Sequence, residues 1–125
     1  MLTENDITRI TRRITAACNP IAIGIFGSYA IGTAHEKSDL DILVIGRAPG
    51  TRGARAHAVR RRLFGILHPI DIQVFTPEEF EDSVYEAHSF TWIIVQQVRI
   101  YHWTSEAEEA VPSLAHRLAA TGLQS

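Results

Sequence analysis

Three aspartates and one glycine-serine turn are the residues of this chain with chemistry to offer. Gly27-Ser28 is followed by ten residues and then by Asp39 and Asp41, one residue apart. The apolar run Ile42-Leu43-Val44-Ile45 comes next, which makes 39–45 a strand. Its two-residue period puts Asp39, Asp41 and Leu43 on one face and Leu40, Ile42 and Val44 on the other. A later run, IDIQVF at 70–75, turns Ile70, Ile72 and Val74 one way and Asp71 and Gln73 the other. If these strands are neighbours, three carboxylates meet on one patch. Such a cluster repels itself, and burial raises its pKa values. A cation makes it tolerable, and an oxygen-only donor set without His or Cys selects Mg²⁺ or Mn²⁺. Two such ions, about 3.5–4 Å apart, would clamp the attacking and leaving oxygens of a phosphoryl transfer. Gly27 lets the backbone come close to a phosphate. Backbone N–H groups around Ser28 and Tyr29, with the Ser28 hydroxyl, would point at it.

Taken singly, these signals are weak. A lone D-x-D is common in exposed turns, a lone Gly-Ser is commoner still, and Asp71 alone would pass for a surface residue on an edge strand. Their joint spacing and their placement on strands carry the reading.

The elements that must position them follow from the pattern of the chain. The 125 residues make one domain, with 46% apolar and 21% charged residues and a formal charge of −2 that neither favours nor excludes a nucleic-acid partner. The single cysteine, Cys18, excludes an internal disulfide framework and a cysteine-rich zinc site. It fits a reducing cytoplasm and is expected to be a small packed residue. No basic-then-apolar leader opens the sequence, and no apolar run is long enough for a membrane helix. Residues 3–17 predict a helix, capped by Thr3 with Asp6 three on, and striped by Ile7, Ile10, Ile14 and Ala17. Residues 21–26, IAIGIF, predict a strand covered on both faces, with Gly24 admitting a close neighbour. A short helical turn is expected within 29–34, a polar loop at 35–38 and a loop at 46–53. A helix is expected over 54–67, striped by Val59, Leu63, Ile66 and Leu67. Thr76-Pro77-Glu78-Glu79 opens another that carries Phe80, Val84 and Ala87. Residues 90–97 fit a strand by propensity but a helix by the spacing of Phe90, Ile93, Ile94 and Gln97, and helix is preferred. A strand at 98–103 and a helical tail from Ser105, interrupted at Pro112 and ended by Gly122, complete the chain. The arginines from Arg52 to Arg62 read as the solvated face of a helix, against the alternative of a guide for a triphosphate, RNA or an acidic partner. The histidines show no metal-ligand spacing. Trp92 and Trp103 read as core or interface anchors.

The stretch from Gly27 to Asp41 resembles the G-S-x10-D-x-D signature of the DNA polymerase β-like nucleotidyltransferases. Asp71 stands where that superfamily has its third carboxylate, and the shortness of the chain resembles the minimal nucleotidyltransferase (MNT) branch. The likeness covers about residues 5–103. It implies an α+β fold of the polymerase β-like palm type, a mixed sheet of about four strands with helices packed on it. Residues 1–104 would form the nucleotidyltransferase domain, and 105–125 a helical tail. It further implies that Gly27 and Ser28 bind the nucleotide. By their place in the motif loop, Lys37 and Ser38 are candidates to join them, and for Lys37 and His35 the reading weighed against contact with ATP is that of solvated loop residues. Asp39 and Asp41 hold both metals. Asp71 binds the catalytic one and takes the proton of the attacking hydroxyl. Cofactors are then two Mg²⁺ ions, with Mn²⁺ as substitute, and ATP is the substrate. Small members of the superfamily are often paired with a HEPN ribonuclease toxin, to whose tyrosine the MNT antitoxin transfers AMP, so the expected partner is a HEPN protein. The implied setting is cytoplasmic, with no membrane and no required nucleic acid. A homo-oligomer remains open. The alternatives are a nucleotidyltransferase acting on a small molecule or RNA, and a non-catalytic antitoxin that masks its partner. One departure is visible: minimal members often have a glycine before the last strand, where this chain has Gln97.

Overall fold

The β-strands carry the site, and the sequence of each shows how it is held. In the computed structural model, which describes residues 1–121, β1 (Ala22–Phe26), β2 (Leu40–Ile45), β3 (Ile70–Phe75) and β4 (Arg99–Trp103) form one sheet in the order β3-β2-β1-β4. β1 runs antiparallel to both β2 and β4, whereas β2 and β3 are parallel. A parallel pair needs a crossover connection, and here it is helix α3 (Arg52–Arg61). The sheet is therefore mixed and four-stranded, and the fold is the α+β arrangement expected.

Both faces of the sheet are covered, which is why its strands read as nearly continuous apolar runs. On one face α1 (Glu4–Cys18), α3 and the turn after it pack Ile7, Ile10, Ile14, Val59 and Leu63 against Ile23, Ile25, Leu40, Ile42, Val44, Ile72 and Val74. On the other, α4 (Pro77–Ser83), α5 (Phe90–Gln97), α6 (Ser105–Ala110) and α7 (Pro112–Thr121) surround Phe26, Leu43, Ile45 and Phe75. The C-terminal helices belong to that core through Ala107, Val111 and Leu114, all fully buried. The Thr3–Asp6 and Thr76–Glu79 capping boxes are both formed. The stretch 90–97 is helical, but its buried residues are Thr91 and Ile94, while Phe90 and Ile93 of the expected stripe are exposed. Pro112 divides the tail into two helices, and the stop expected at Gly122 lies outside the described residues. None of the described helices is long and apolar enough to cross a membrane.

Three local expectations are corrected. The helix expected over 54–67 begins earlier and ends sooner, because Thr51 caps it by accepting the Ala54 N–H. Beyond Arg61 the chain tightens into i−3 bonds from Arg62 to Val59 and from Leu63 to Arg60, so Leu67 leaves the stripe and is 97% exposed. Ala87 lies beyond the end of α4 and is exposed. Cys18 is exposed rather than packed. With Ala17 it borders an open cavity of about 390 Å³ whose other walls include Pro20, Val44, Arg55 and Val74.

Gly24 is where β4 comes closest to β1. A Cβ there would lie 2.6 Å from Val98 Cγ2 and 3.1 Å from the Arg99 carbonyl oxygen. The register between the two strands also shifts between Ile23 and Gly24. Gly24→Ala is therefore expected to destabilise the fold by about 1–3 kcal/mol, the usual cost of overpacking. Urea denaturation measures it, and a midpoint unchanged from wild type would show that β4 can give way.

Candidate active site

The site begins where β1 ends. Gly27 has φ 70° and ψ −156°, a conformation only glycine adopts readily. A Cβ on it would also collide with Asp41 Oδ2, so the absent side chain is what lets the turn lie against that carboxylate. The turn leads into α2 (Ser28–Ile31), whose first residues have no side-chain cap. The Gly27 carbonyl accepts from Ala30 and Ile31, and the Gly27 N–H donates to Gln97 Oε1 at 2.9 Å. The N–H groups of Ser28 and Tyr29, at the start of the helix, have no acceptor within it.

The loop to β2 is tied to itself. His35 N–H donates to Ser38 Oγ at 2.9 Å, Ser38 N–H donates to the His35 carbonyl at 2.9 Å, and Lys37 N–H donates to His35 Nδ1 at 3.2 Å. His68 Nε2 lies 3.1 Å from the Ser38 carbonyl oxygen and fastens the loop to the approach of β3. The Ser38 hydroxyl is thus occupied within the loop, and the Lys37 side chain is exposed to solvent.

Beyond the loop, the parallel register sets Asp41 directly beside Asp71 and Leu43 beside Gln73. On the other flank, the antiparallel register sets Phe26 beside Asp41. Asp41 and Asp71 project from the sheet face that α4 to α7 cover further along, at Leu43, Ile45 and Phe75. The cover stops short of the strand entrances, so Asp41 and Asp71 are half-buried and Asp39 is exposed. Burial first, then the charges of Asp71 and Asp39, push the Asp41 carboxyl up to about 6. Among the described residues no ion pair reaches any of the three aspartates. Among the described residues Asp71 receives only the Gln73 amide, at 3.4 and 3.5 Å.

Sequence reasoning passed over two neighbours of Asp71. Gln73 accepts from Arg52 Nη2 at 2.7 Å, and the Arg52 guanidinium lies 3.9 Å over the Phe75 ring. The signal for Gln73 was its place two residues after Asp71, on the same face. Arg52 was hidden in an arginine-rich helix, and that helix is not uniformly solvated. Arg55 is 5% exposed and pairs with Glu79, while Arg60 Nη2 donates to the Ile70 carbonyl at 3.3 Å. A cavity of about 580 Å³ beside Leu2, Arg9, Arg13 and Ile66 lies on the α1 side, away from the carboxylates.

The donor set suits a hard divalent cation, being all oxygen, negatively charged and, among the described residues, in no ion pair with an arginine or lysine. Among the described residues, no three acidic, His or Cys side chains close around a common ion position. The three aspartates thus share a region and a charge, and their carboxylates stand apart within it.

The Gly27 turn pressed against Asp41, with Asp71 in register beside it, lies at one edge of a mixed α+β sheet. The sequence matches the family model of the nucleotidyltransferase domain over residues 8–114, and the chain belongs to that family. Its fold is similar to that of a mutant of the toxin–antitoxin MntA-HpeT, at 24% identity over 98% of this chain and 94% of that one, with a TM-score of 0.55. It is similar also to a putative nucleotidyltransferase from Sulfolobus solfataricus, at 22% identity over 80% of this chain and 78% of that one, with a TM-score of 0.53. A toxin–antitoxin solved with AMP-PNP matches at 21% identity over 97% of this chain and 88% of that one, with a TM-score of 0.50. No curated protein shows significant similarity to the sequence.

The raised Asp41 carboxyl has a consequence for stability. Its folded value of about 6 lies above the ordinary 3.8, so between the two the folded chain holds more proton than the unfolded one. Folding is therefore weakened as pH rises through that window. Without divalent ions, Asp41→Asn is expected to melt above wild type at about pH 7.5, with the gap closing towards about pH 3.5. Adding Mg²⁺ should raise wild type more than the variant. Thermal melts in chelator and in Mg²⁺ measure this, and a variant that melts below wild type at the higher pH would refute the cost of the buried Asp41 charge.

Proposed function

We propose that this chain is a Mg²⁺-dependent adenylyltransferase that moves AMP from ATP to a hydroxyl of a partner protein, a tyrosine of a HEPN-family ribonuclease toxin, and so acts as its antitoxin. The observation that carries the transferase reading is the in-register pair Asp41 and Asp71, with Asp39 at the strand entrance and the Gly27-Ser28 turn pressed against Asp41. The fold likeness to toxin–antitoxin proteins, one of them solved with AMP-PNP, supports the partner and the nucleotide.

In this reading the N–H groups of Ser28 and Tyr29 and the Ser28 hydroxyl hold the triphosphate. Asp39, Asp41 and Asp71 would hold Mg²⁺, which when bound neutralises charge on the phosphates and on the carboxylates themselves. The acceptor oxygen bonds to the α-phosphorus while the bond from that phosphorus to the bridging oxygen breaks, and pyrophosphate leaves. The hydroxyl proton passes to Asp71, whose carboxylate is free of any ion pair among the described residues. The chemistry asks for little beyond positioning and charge stabilisation. Lys37, exposed on the motif loop, would meet the outer phosphates in this reading by extension of its flexible side chain.

The test mixes the protein with a HEPN partner, ATP and Mg²⁺ and measures the partner's mass. One added adenylyl group is expected, and none with chelator. Asp71→Asn should cut transfer by about a hundredfold or more, while ATP affinity falls much less, because Asp39 and Asp41 remain. Transfer at the wild-type rate in Asp71→Asn would remove Asp71 from the site. An unchanged partner mass, with protection from the toxin kept in Asp39→Asn, would replace catalysis by masking.

A further inference from the structure

We infer that Gln97 is the positioning residue of the phosphate turn, a role that rests on the nucleotidyltransferase reading above. Gln97 is the last residue of α5, seventy positions from Gly27 in sequence. Its Oε1 accepts the Gly27 N–H at 2.9 Å. That N–H belongs to the one residue of the site held at a φ of 70°, pressed on its other side by the Asp41 carboxylate. Gly27 is therefore gripped between two side chains. Asp41 fixes it sterically, and Gln97 fixes it by a hydrogen bond. A glycine loses more conformational freedom on folding than any other residue, so a turn built on it needs such anchors to hold one conformation.

The side chain is the right one for this place. The site already carries three carboxylates in no ion pair among the described residues, and a fourth acceptor of the same kind would add to their repulsion. A carboxamide accepts from Gly27 without charge. Its Nε2 group keeps two donors that no other side chain or carbonyl among the described residues engages, beside a turn that is to receive an anion. Gln97 is also fixed from behind. Ile94 is fully buried three residues earlier, and Val98, the next residue, packs against Gly24 of β1. The Val98 N–H closes α5 on the Ile94 carbonyl at 2.9 Å, so the helix end that presents the carboxamide is anchored to the sheet. The position that reads in sequence as a departure from the glycine of minimal relatives is, in the fold, a brace for the nucleotide turn.

The prediction separates turn geometry from chemistry. In Gln97→Met, which keeps the length and loses the acceptor, the Gly27 amide hydrogen should exchange with solvent at least about ten times faster than in wild type. Affinity for Mg²⁺ with an α,β-non-cleavable ATP analogue should fall about tenfold, the worth of one such hydrogen bond, with the rate at saturating ATP within about twofold of wild type. In Gln97→Glu, which keeps an acceptor oxygen, protection of the Gly27 amide should return while nucleotide affinity stays low, because a negative charge now faces the triphosphate. Circular dichroism confirms that both variants are folded. Unchanged exchange at Gly27 in Gln97→Met, or unchanged nucleotide affinity with exchange accelerated, would overturn the role. Exchange is read without nucleotide, so a wild type that binds no ATP would refute the transferase reading while leaving the brace tested on its own.

Discussion

The structure depends on the parallel, in-register pairing of β2 with β3. That pairing alone sets Asp41 beside Asp71. It also sets the conditions around them. A parallel pair is stable when both faces are covered, and both are, by α1 and α3 on one side and α4 to α7 on the other. The hydrogen-bonded ladder and the apolar rows beyond the entrance hold the two strands together against the repulsion of their first side chains. Burial first, and then that repulsion, push the Asp41 carboxyl up to about 6. The carboxylates can share one region because they lie near the strand entrances, where the helical cover ends and solvent comes in.

The second constraint acts across the sheet and joins the turn to the carboxylates. Gly27 ends β1, which is antiparallel to β2, so the turn and the entrance of β2 lie at the same edge of the sheet. Any side chain at Gly27 would displace the Asp41 carboxylate. The turn that would receive phosphate and the acid that would receive metal are thus one steric unit. Moving either moves the other, which suits a reaction whose demands are mostly of position. α5 joins this unit at its C-terminal end through Gln97 and the core at its middle through Ile94.

Much of this was legible in the sequence, and the physical reason is locality. Strand period, capping boxes and the proline break are set by residues a few positions apart, so β2, β3, α1, α4 and the split tail could be read directly. The D-x-D at the head of an apolar run set the face on which Asp41 stands, while Asp39 lies just before β2 rather than in it. What could not be read depends on partners distant in the chain. The Gln97 bond to Gly27 and the Arg52–Gln73–Asp71 contacts exist only once the sheet has formed. The early end of α3 and the exposure of Leu67 show the limit of periodicity. A stripe persists on paper past the point where the helix has tightened into i−3 turns. Arg55 shows the same limit for charge, since a residue counted among solvated arginines is buried against Glu79.

The openness of the site bears on how a transfer could be made selective. Asp39 is exposed, and Asp41 and Asp71 only half-buried, so water reaches the place where charge would develop. In water, fixed dipoles and charges act weakly, and a bound triphosphate is open to attack by water itself. A small acceptor would leave that exposure unchanged. A protein acceptor that seats against the rim would supply the hydroxyl and exclude solvent in one step. On the proposed reaction the partner is therefore both substrate and lid. The edge strand β3, with Arg60 on its Ile70 carbonyl and Arg52 over Phe75, is then the part of the rim whose side chains such a partner would meet next to Asp71.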